Sequence, residues 1–341
     1  MDLFDILATI VKIAIFMGVV LVVVAELVWS ERKISAAIQN RIGPNRVGPF
    51  GLLQPYADVV KLLLKEDIVP TAANKFVHTL APIISIAVTF STIAVIPLAG
   101  QPLELFGREI PLVIADVNVG ILYVLALTSV GVYGITLSGW SSNNKYSLLG
   151  GLRSSAQMIS YELSMGLSII GVVLITGSLS LVDIVAHQSG WMWNIVLQPF
   201  GFITFLVAAF AETNRAPFDL PEAEPELVGG YHTEYSSFKF ALFFLSEYAA
   251  MITASMVIVT LYLGGWQVPY LELAGLPAIA EIIIQVLAFA FKVVLVLIFF
   301  QWVRWSVPRF RYDQLMNLGW KVMFPIALIN AMVTAAVMLL L

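Results

Sequence analysis

The chain has 341 residues, of which 60% are hydrophobic and only 12% charged, against about 25% charged residues in an ordinary soluble domain. That composition excludes a water-soluble globular fold and points to an integral membrane protein. The absence of cysteine excludes thiolate zinc sites, ordinary iron–sulfur clusters and disulfides, and the net charge of -4 says little, because what matters here is how charge divides between two membrane faces.

A spanning helix needs about 20 mostly apolar residues, since roughly 30 Å of hydrocarbon is crossed at 1.5 Å per residue. Eight stretches qualify, and they are continuously apolar rather than alternating as a membrane strand would be. The predicted fold class is therefore all-α: one integral membrane domain over 1–341 with eight transmembrane helices. The first lies at 6–29, preceded by Asp2 and Asp5 where a cleavable signal would carry basic residues.

Residues 31–78 form the longest loop. Its GPNRVGP core is too rich in Gly and Pro for helix or strand and predicts a fixed irregular turn. Beyond it Gln54, Asp58, Lys61 and Lys65 make one polar stripe, with Leu53, Tyr56, Val59, Val60, Leu63 and Leu64 elsewhere around the helix and Pro55 suited to its first turn. The pattern predicts an amphipathic helix of about three turns in the membrane interface. Further spans follow at 79–98, 118–138, 155–176 and 193–211.

The second large loop, 212–237, overlaps the stretch AETNRAPFDLPEAEPELVGGYHTEY, which places Glu212, Asp219, Glu222, Glu224, Glu226 and Glu234 beside a single cation, Arg215. Pro217, Pro221 and Pro225 rule out a regular helix, and the spacing of Glu222, Glu224 and Glu226 would align their carboxylates in extended backbone. Such a run is commonly a solvated acidic face. Phe218, Leu220, Leu227, Val228 and Tyr231 are too apolar for that alone, so part of the loop should pack. The last spans fall at 238–263, 281–301 and 322–340.

Fourteen of the eighteen Lys and Arg lie in the loops after spans 1, 3, 5 and 7, whereas those after spans 2, 4 and 6 hold only Arg108. By the positive-inside rule the basic loops face the cytoplasm or an equivalent matrix, and both termini lie on the opposite, periplasmic side. Ionisable groups inside spans cost roughly 2.5 to 3.5 kcal/mol each on insertion scales and read as functional by default. Glu26, Glu162, Glu247 and Lys292 fall in this class, with Lys12 and Glu212 near span ends. The four glutamates share the cytoplasmic half, and Lys292 beside carboxylates would suit a proton relay; internal ion pairs that only fix helix packing are the competing reading. His78, His187 and His232 have no metal-ligand spacing, and nucleotide-binding glycine motifs are absent.

Four runs carry a resemblance: ERKISAAIQNRIGPNRVGPFGLLQPYADVVKLLLKED, NNKYSLLGGLRSSAQMISYEL, AETNRAPFDLPEAEPELVGGYHTEYSSFKFALFFLSEY and RWSVPRFRYDQLMNLGWK. In order and beside all four basic loops, they resemble the H-subunit family of bacterial NADH:quinone oxidoreductase, respiratory complex I, equivalent to the mitochondrially encoded subunit 1. The resemblance implies a multi-pass protein of the bacterial inner membrane that anchors the peripheral redox arm and helps form a chamber for ubiquinone or menaquinone. It implies a proton pathway through Glu31, Glu162, Glu212, Asp219, Glu222, Glu224, Glu226, Glu234 and Glu247, and chamber residues Arg32, Arg41, Arg46, Asp58, Arg215 and Phe218. No cofactor or metal is expected on this chain; quinone is the substrate, and flavin and iron–sulfur clusters belong to partner subunits. Expected partners are the quinone-reducing peripheral subunits, the small and antiporter-like membrane subunits, and the lipid bilayer, with no nucleic acid. Competing readings are a homologous subunit of a ferredoxin- or hydrogenase-linked complex, a stand-alone cation transporter, and a passive scaffold.

Overall fold

In hydrocarbon a peptide group must find its hydrogen-bond partner within the protein, and a helix supplies every partner locally. A computed structural model describes residues 3–105, 107–190, 192–220, 227–269 and 276–340. In chain order its elements are α1 (Leu3–Ile38), α2 (Gln54–Leu64), α3 (Lys75–Ile93), an antiparallel hairpin of β1 (Leu103–Leu105) and β2 (Arg108–Ile110), α4 (Gly120–Ser141), α5 (Lys145–Thr176), α6 (Leu181–His187), α7 (Asn194–Leu197), α8 (Pro199–Glu212), α9 (Ser237–Tyr262), α10 (Ala278–Ser306), α11 (Tyr312–Asn317) and α12 (Phe324–Leu340). A π-helical turn at Leu318–Met323 joins the last two into one rod. The chain is a mostly helical, multi-pass membrane protein. Its core lies where α5, α8 and α9 converge around Tyr161, Phe205, Met251, Ile258 and Tyr262.

Seven helices among the described residues are long and apolar enough to cross a bilayer, one fewer than predicted. The difference is the expected span 193–211. It breaks at Gln198, whose backbone turns to φ -130° and ψ 56° just before Pro199, leaving a four-residue α7 and a 14-residue α8. At 1.5 Å per residue α8 covers about 21 Å, short of the hydrocarbon thickness. The buried Gln198 amide is satisfied on α12, donating to Thr334 Oγ1 at 2.7 Å and accepting from Asn330 Nδ2 at 2.7 Å. Gly171 leaves room for this pairing, since a Cβ there would come within 2.8 Å of Gln198 Oε1.

The first helix is longer than predicted. Its 36 residues make a rod of about 54 Å, so Glu31, Arg32 and Ser35 ride on rigid helix rather than in a loop beginning at 31. Near the other end Lys12 Nζ donates to the Val113 carbonyl at 3.0 Å and the Pro111 carbonyl at 3.4 Å. GPNRVGP is an irregular turn, as expected, with Gly48 at positive φ; Gly51, two residues beyond it, is also at positive φ, and a Cβ there would collide with the Pro44 carbonyl.

The predicted amphipathic helix is α2, three turns with Pro55 in the first. Tyr56, Val59, Val60, Leu63 and Leu64 are exposed on it, an apolar surface suited to lipid or a partner. Its far end is clasped by the start of α9: Ser237 Oγ donates to the Lys65 carbonyl at 2.8 Å, Ser236 Oγ accepts the Ile68 N–H at 2.8 Å, and Lys239 pairs with Asp67 at 2.9 Å.

Candidate functional site

The overrun of α1 carries Glu31 to the place where α9, α10 and the turn after α8 meet. One carboxylate oxygen, Oε2, accepts from Tyr248 Oη at 2.7 Å and from Arg215 Nη1 at 3.4 Å, while Oε1 accepts from Arg304. Arg215, only 3% exposed, also brings Nε within 2.6 Å of Glu247 Oε1, an ion contact by distance rather than an aligned hydrogen bond. Its guanidinium lies 4.1 Å from the centroid of the Tyr248 ring. Two carboxylates and two guanidiniums are thus gathered by residues far apart in sequence, each compensating the desolvation of another. Burial opposes the Arg215 charge, but Glu247, Tyr248 and Glu31 outweigh it and hold the group protonated well above the ordinary arginine range.

A cavity of about 350 Å³ opens beside this cluster, with Arg32, Arg41, His232 and Phe244 on its walls as well. His232 belongs to the loop ahead of α9, and burial pushes its imidazole down to about 4, so it is neutral at physiological pH. A second, narrower cavity of about 110 Å³ runs between α3, α4, α5, α8 and α9. Glu212, Thr128 and Thr253 line it, and Thr89 and Ser246 on its wall pair at 3.2 Å. The two cavities share Tyr231, Phe243 and Glu247. Glu247 therefore faces the Arg215 and Glu31 cluster on one side and the space containing Glu212 on the other. Glu162, half-buried on α5, accepts from Ser129 Oγ at 3.0 Å and lies within electrostatic reach of Glu212. Glu26 is half-buried on α1.

The remaining site residues fall around this axis. Asp219 accepts from Arg309 Nη2 at 2.8 Å. Phe218 stacks on Phe310 at 5.4 Å, and the Phe310 N–H donates to the Pro217 carbonyl at 3.1 Å, so the turn after α8 is held by the segment after α10. Phe218 is buried against Tyr161 as well and does not line the 350 Å³ cavity. Arg32 pairs with Asp58 at 2.7 Å, which also accepts from Gln54 Nε2 at 3.1 Å, fastening α2 to α1. Arg32, Arg41 and Arg46 border a wider opening of about 740 Å³ around the GPNRVGP turn. Glu234 accepts from Asn144 Nδ2. Glu222, Glu224 and Glu226, with their expected extended face, lie outside the described residues.

Lys292 departs from the expected relay beside carboxylates. Its ammonium donates to the carbonyls of Leu263, Gly265 and Gln267 at 2.9, 2.9 and 2.8 Å and sits 4.4 Å from the Trp193 ring centroid. These carbonyls belong to the C-cap of α9 and the turn that follows it, and the ammonium gives each a hydrogen-bond partner. Sequence reasoning missed Tyr248, Arg304 and Arg309 as partners of the carboxylates. A signal existed for Tyr248, a polar aromatic directly after a buried glutamate; nothing in the sequence tells which arginine after span 7 meets which acid.

The profile of the family described as NADH dehydrogenase matches residues 11–335, which include every described residue of the clusters above. The chain belongs to the H-subunit family of NADH-quinone oxidoreductase. It is 53% identical over 332 residues to an NADH-quinone oxidoreductase H-subunit of Cytophaga hutchinsonii, covering 97% of this chain and 96% of that one. With the H-subunit of Salinibacter ruber it shares 55% identity over 320 residues, 91% of this chain and 90% of the relative. A protein of Rhodothermus marinus named NADH-quinone oxidoreductase subunit 8 is 53% identical over 331 residues, 94% of each. Similarity to the H-subunits thus runs nearly end to end rather than through one shared helix pair.

Proposed function

We propose that this chain is a membrane subunit of proton-pumping NADH:quinone oxidoreductase that couples quinone reduction to proton movement and anchors the peripheral redox arm. Membership of the H-subunit family supplies the reaction, and the observation that carries the coupling is Glu247, the carboxylate common to both cavities. Reduction of a quinone to quinol consumes two protons, so charge changes on the chamber side. Arg215 then shares its positive charge differently between Glu31 and Glu247, and Glu247 passes the change to Glu212 and Glu162 as a coupled titration. Asp219, Glu222, Glu224, Glu226 and Glu234 belong to the same acidic set.

In this reading Arg32, Arg41, Arg46, Asp58 and Arg215 border the quinone chamber, with Phe218 backing it from the core. Residues 1–341 act as one membrane domain, with 31–78 and 212–237 as its chamber-side regions. The two helical pieces α7 and α8, with their satisfied break at Gln198, together make the eighth crossing, which puts both termini on the periplasmic side of a bacterial inner membrane. Partner subunits carry the flavin and iron–sulfur clusters, the quinone-reducing peripheral subunits close the chamber from outside the membrane, and small and antiporter-like membrane subunits receive the charge shift.

The test is Glu247→Gln in the assembled complex. Quinone reductase rate and proton translocation should both fall when normalised to NADH oxidation by an artificial acceptor, which reports the amount of assembled complex. Native coupling in that variant would overturn the reading. Identification of the co-purifying subunits separates it from a ferredoxin- or hydrogenase-linked assembly.

A further inference from the structure

Asn144 stands in the turn between α4 and α5 and uses both ends of its amide. Its Oδ1 accepts the Tyr146 N–H at 2.9 Å and caps the first turn of α5, while its Nδ2 donates to Glu234 Oε1. Capping needs only the acceptor, which Asp or Ser supplies equally well. The second bond is the informative one: Asp has no donor to offer Glu234, and Ser is too short to span the same gap.

The loop that carries Glu234 is docked on the ends of three helices. Tyr235 stacks on His78 of α3 with ring centroids 3.9 Å apart and an interplanar angle of 6°, and its hydroxyl lies 3.4 Å from Ser141 Oγ at the end of α4. Burial pushes the Tyr235 phenol up to about 12, with the Ser141 hydrogen bond opposing. Asn144 supplies the contact to α5. Three and two residues earlier the same loop presents Tyr231 and His232 to the 350 Å³ cavity, Tyr231 being part of the wall shared with the inner one. Glu162 stands 18 residues along α5 from Asn144, about 27 Å up the same rod.

We propose that Asn144 is a positioning residue for Glu234. It holds that carboxylate against the start of α5, and through the docked loop it fixes Tyr231 at the wall between the cavities. The inference rests on the coupling role proposed above, because positioning of Glu234 has a functional readout only if the acidic set responds to quinone chemistry.

The experiment uses Asn144→Asp and Asn144→Ser in the assembled complex. Both keep the cap of α5 and remove the amide donor: Ser leaves Glu234 without that bond, and Asp sets a second carboxylate against it. In Asn144→Ser the melting temperature of the complex should fall by no more than about 2 °C, while quinone-coupled proton translocation, normalised to artificial-acceptor activity, falls on the order of tenfold, the scale of one hydrogen bond to a charged group, and in Asn144→Asp by at least as much. Glu234→Ala, which leaves Asn144 Nδ2 no acceptor, should fall by at least a similar factor, and Asn144→Ser added to it should cost nothing more. Native coupling in both Asn144 variants overturns the proposal and makes Asn144 a helix cap only. So does a loss in Asn144→Ser that persists in full on the Glu234→Ala background. If Glu247→Gln is impaired while the Asn144 variants are native, the coupling reading stands and this inference alone falls.

Discussion

The Arg215 guanidinium lies over the Tyr248 ring, 4.1 Å from its centroid, and both residues donate to the same oxygen of Glu31. Tyr248→Phe keeps the ring under the cation and removes only the hydroxyl. Glu31 then loses its shortest Oε2 partner, a hydrogen bond to a charged group of about 1.5 to 3 kcal/mol. The expected outcome is a complex that assembles but whose NADH:quinone activity falls roughly tenfold relative to artificial-acceptor activity. Steady-state assays with both acceptors check it.

Removing the shared cation is more severe. Arg215→Ala takes from Glu247 its cation in a buried site and leaves Glu31 with Arg304 and Tyr248 alone, and breaking a buried pair in this way costs roughly 3 to 5 kcal/mol. We expect loss of assembled complex on native gels. Arg215→Lys keeps the charge but offers a point ammonium where a planar fork reaches two carboxylates, so partial assembly with poor quinone activity is expected.

Lys292→Met separates a structural cation from a proton-relay group. The three carbonyls at and just after the end of α9 lose their cation, and the melting temperature of the complex should drop by about 1 to 3 °C, as loss of about 1 to 2 kcal/mol from a chain of this length implies. The proton-to-electron ratio should be unchanged. A lowered ratio in a fully assembled variant would return Lys292 to the proton pathway.

His232 gives a pH dependence with a definite sign. Burial pushes its folded-state pKa down to about 4, below the ordinary 6.5, so between these values the unfolded chain binds the extra proton and stability falls as pH is lowered. The effect is absent above about pH 6.5 and complete below about pH 4. Melting of the complex measured from pH 7 to pH 5 should therefore decline less steeply in His232→Gln than in the native protein.

Length and apolarity located the membrane helices, because a continuous 20-residue run has few other fates, and α2 was legible from its polar stripe and Pro55. The end of α1 was not. Glu31 and Arg32 looked like the start of a loop because charge usually marks one, yet partners from α2, α9, α10 and the turn after α8 make those charges compatible with continued helix. The break at Gln198 was hidden for a similar reason: its compensation, Asn330 and Thr334, lies more than 130 residues away. Insertion cost picked out Glu162, Glu212 and Glu247 without any partner being known. Which groups they face depends on how each helix is rotated, and that is set by packing of the whole bundle.

Lys12 ties one end of α1 to the loop after the hairpin, and Glu31, 19 residues on, ties the other end to α9 and α10. The two ties are about 28 Å apart along the axis, so pivoting by ten degrees about the first would swing the second by about 5 Å. Hydrogen bonds tolerate only a few tenths of an ångström. The two ties therefore set the inclination of α1 jointly: it cannot tilt relative to α9 and α10 without breaking either the bonds at Glu31 or the one at Lys12, on opposite sides of the bilayer.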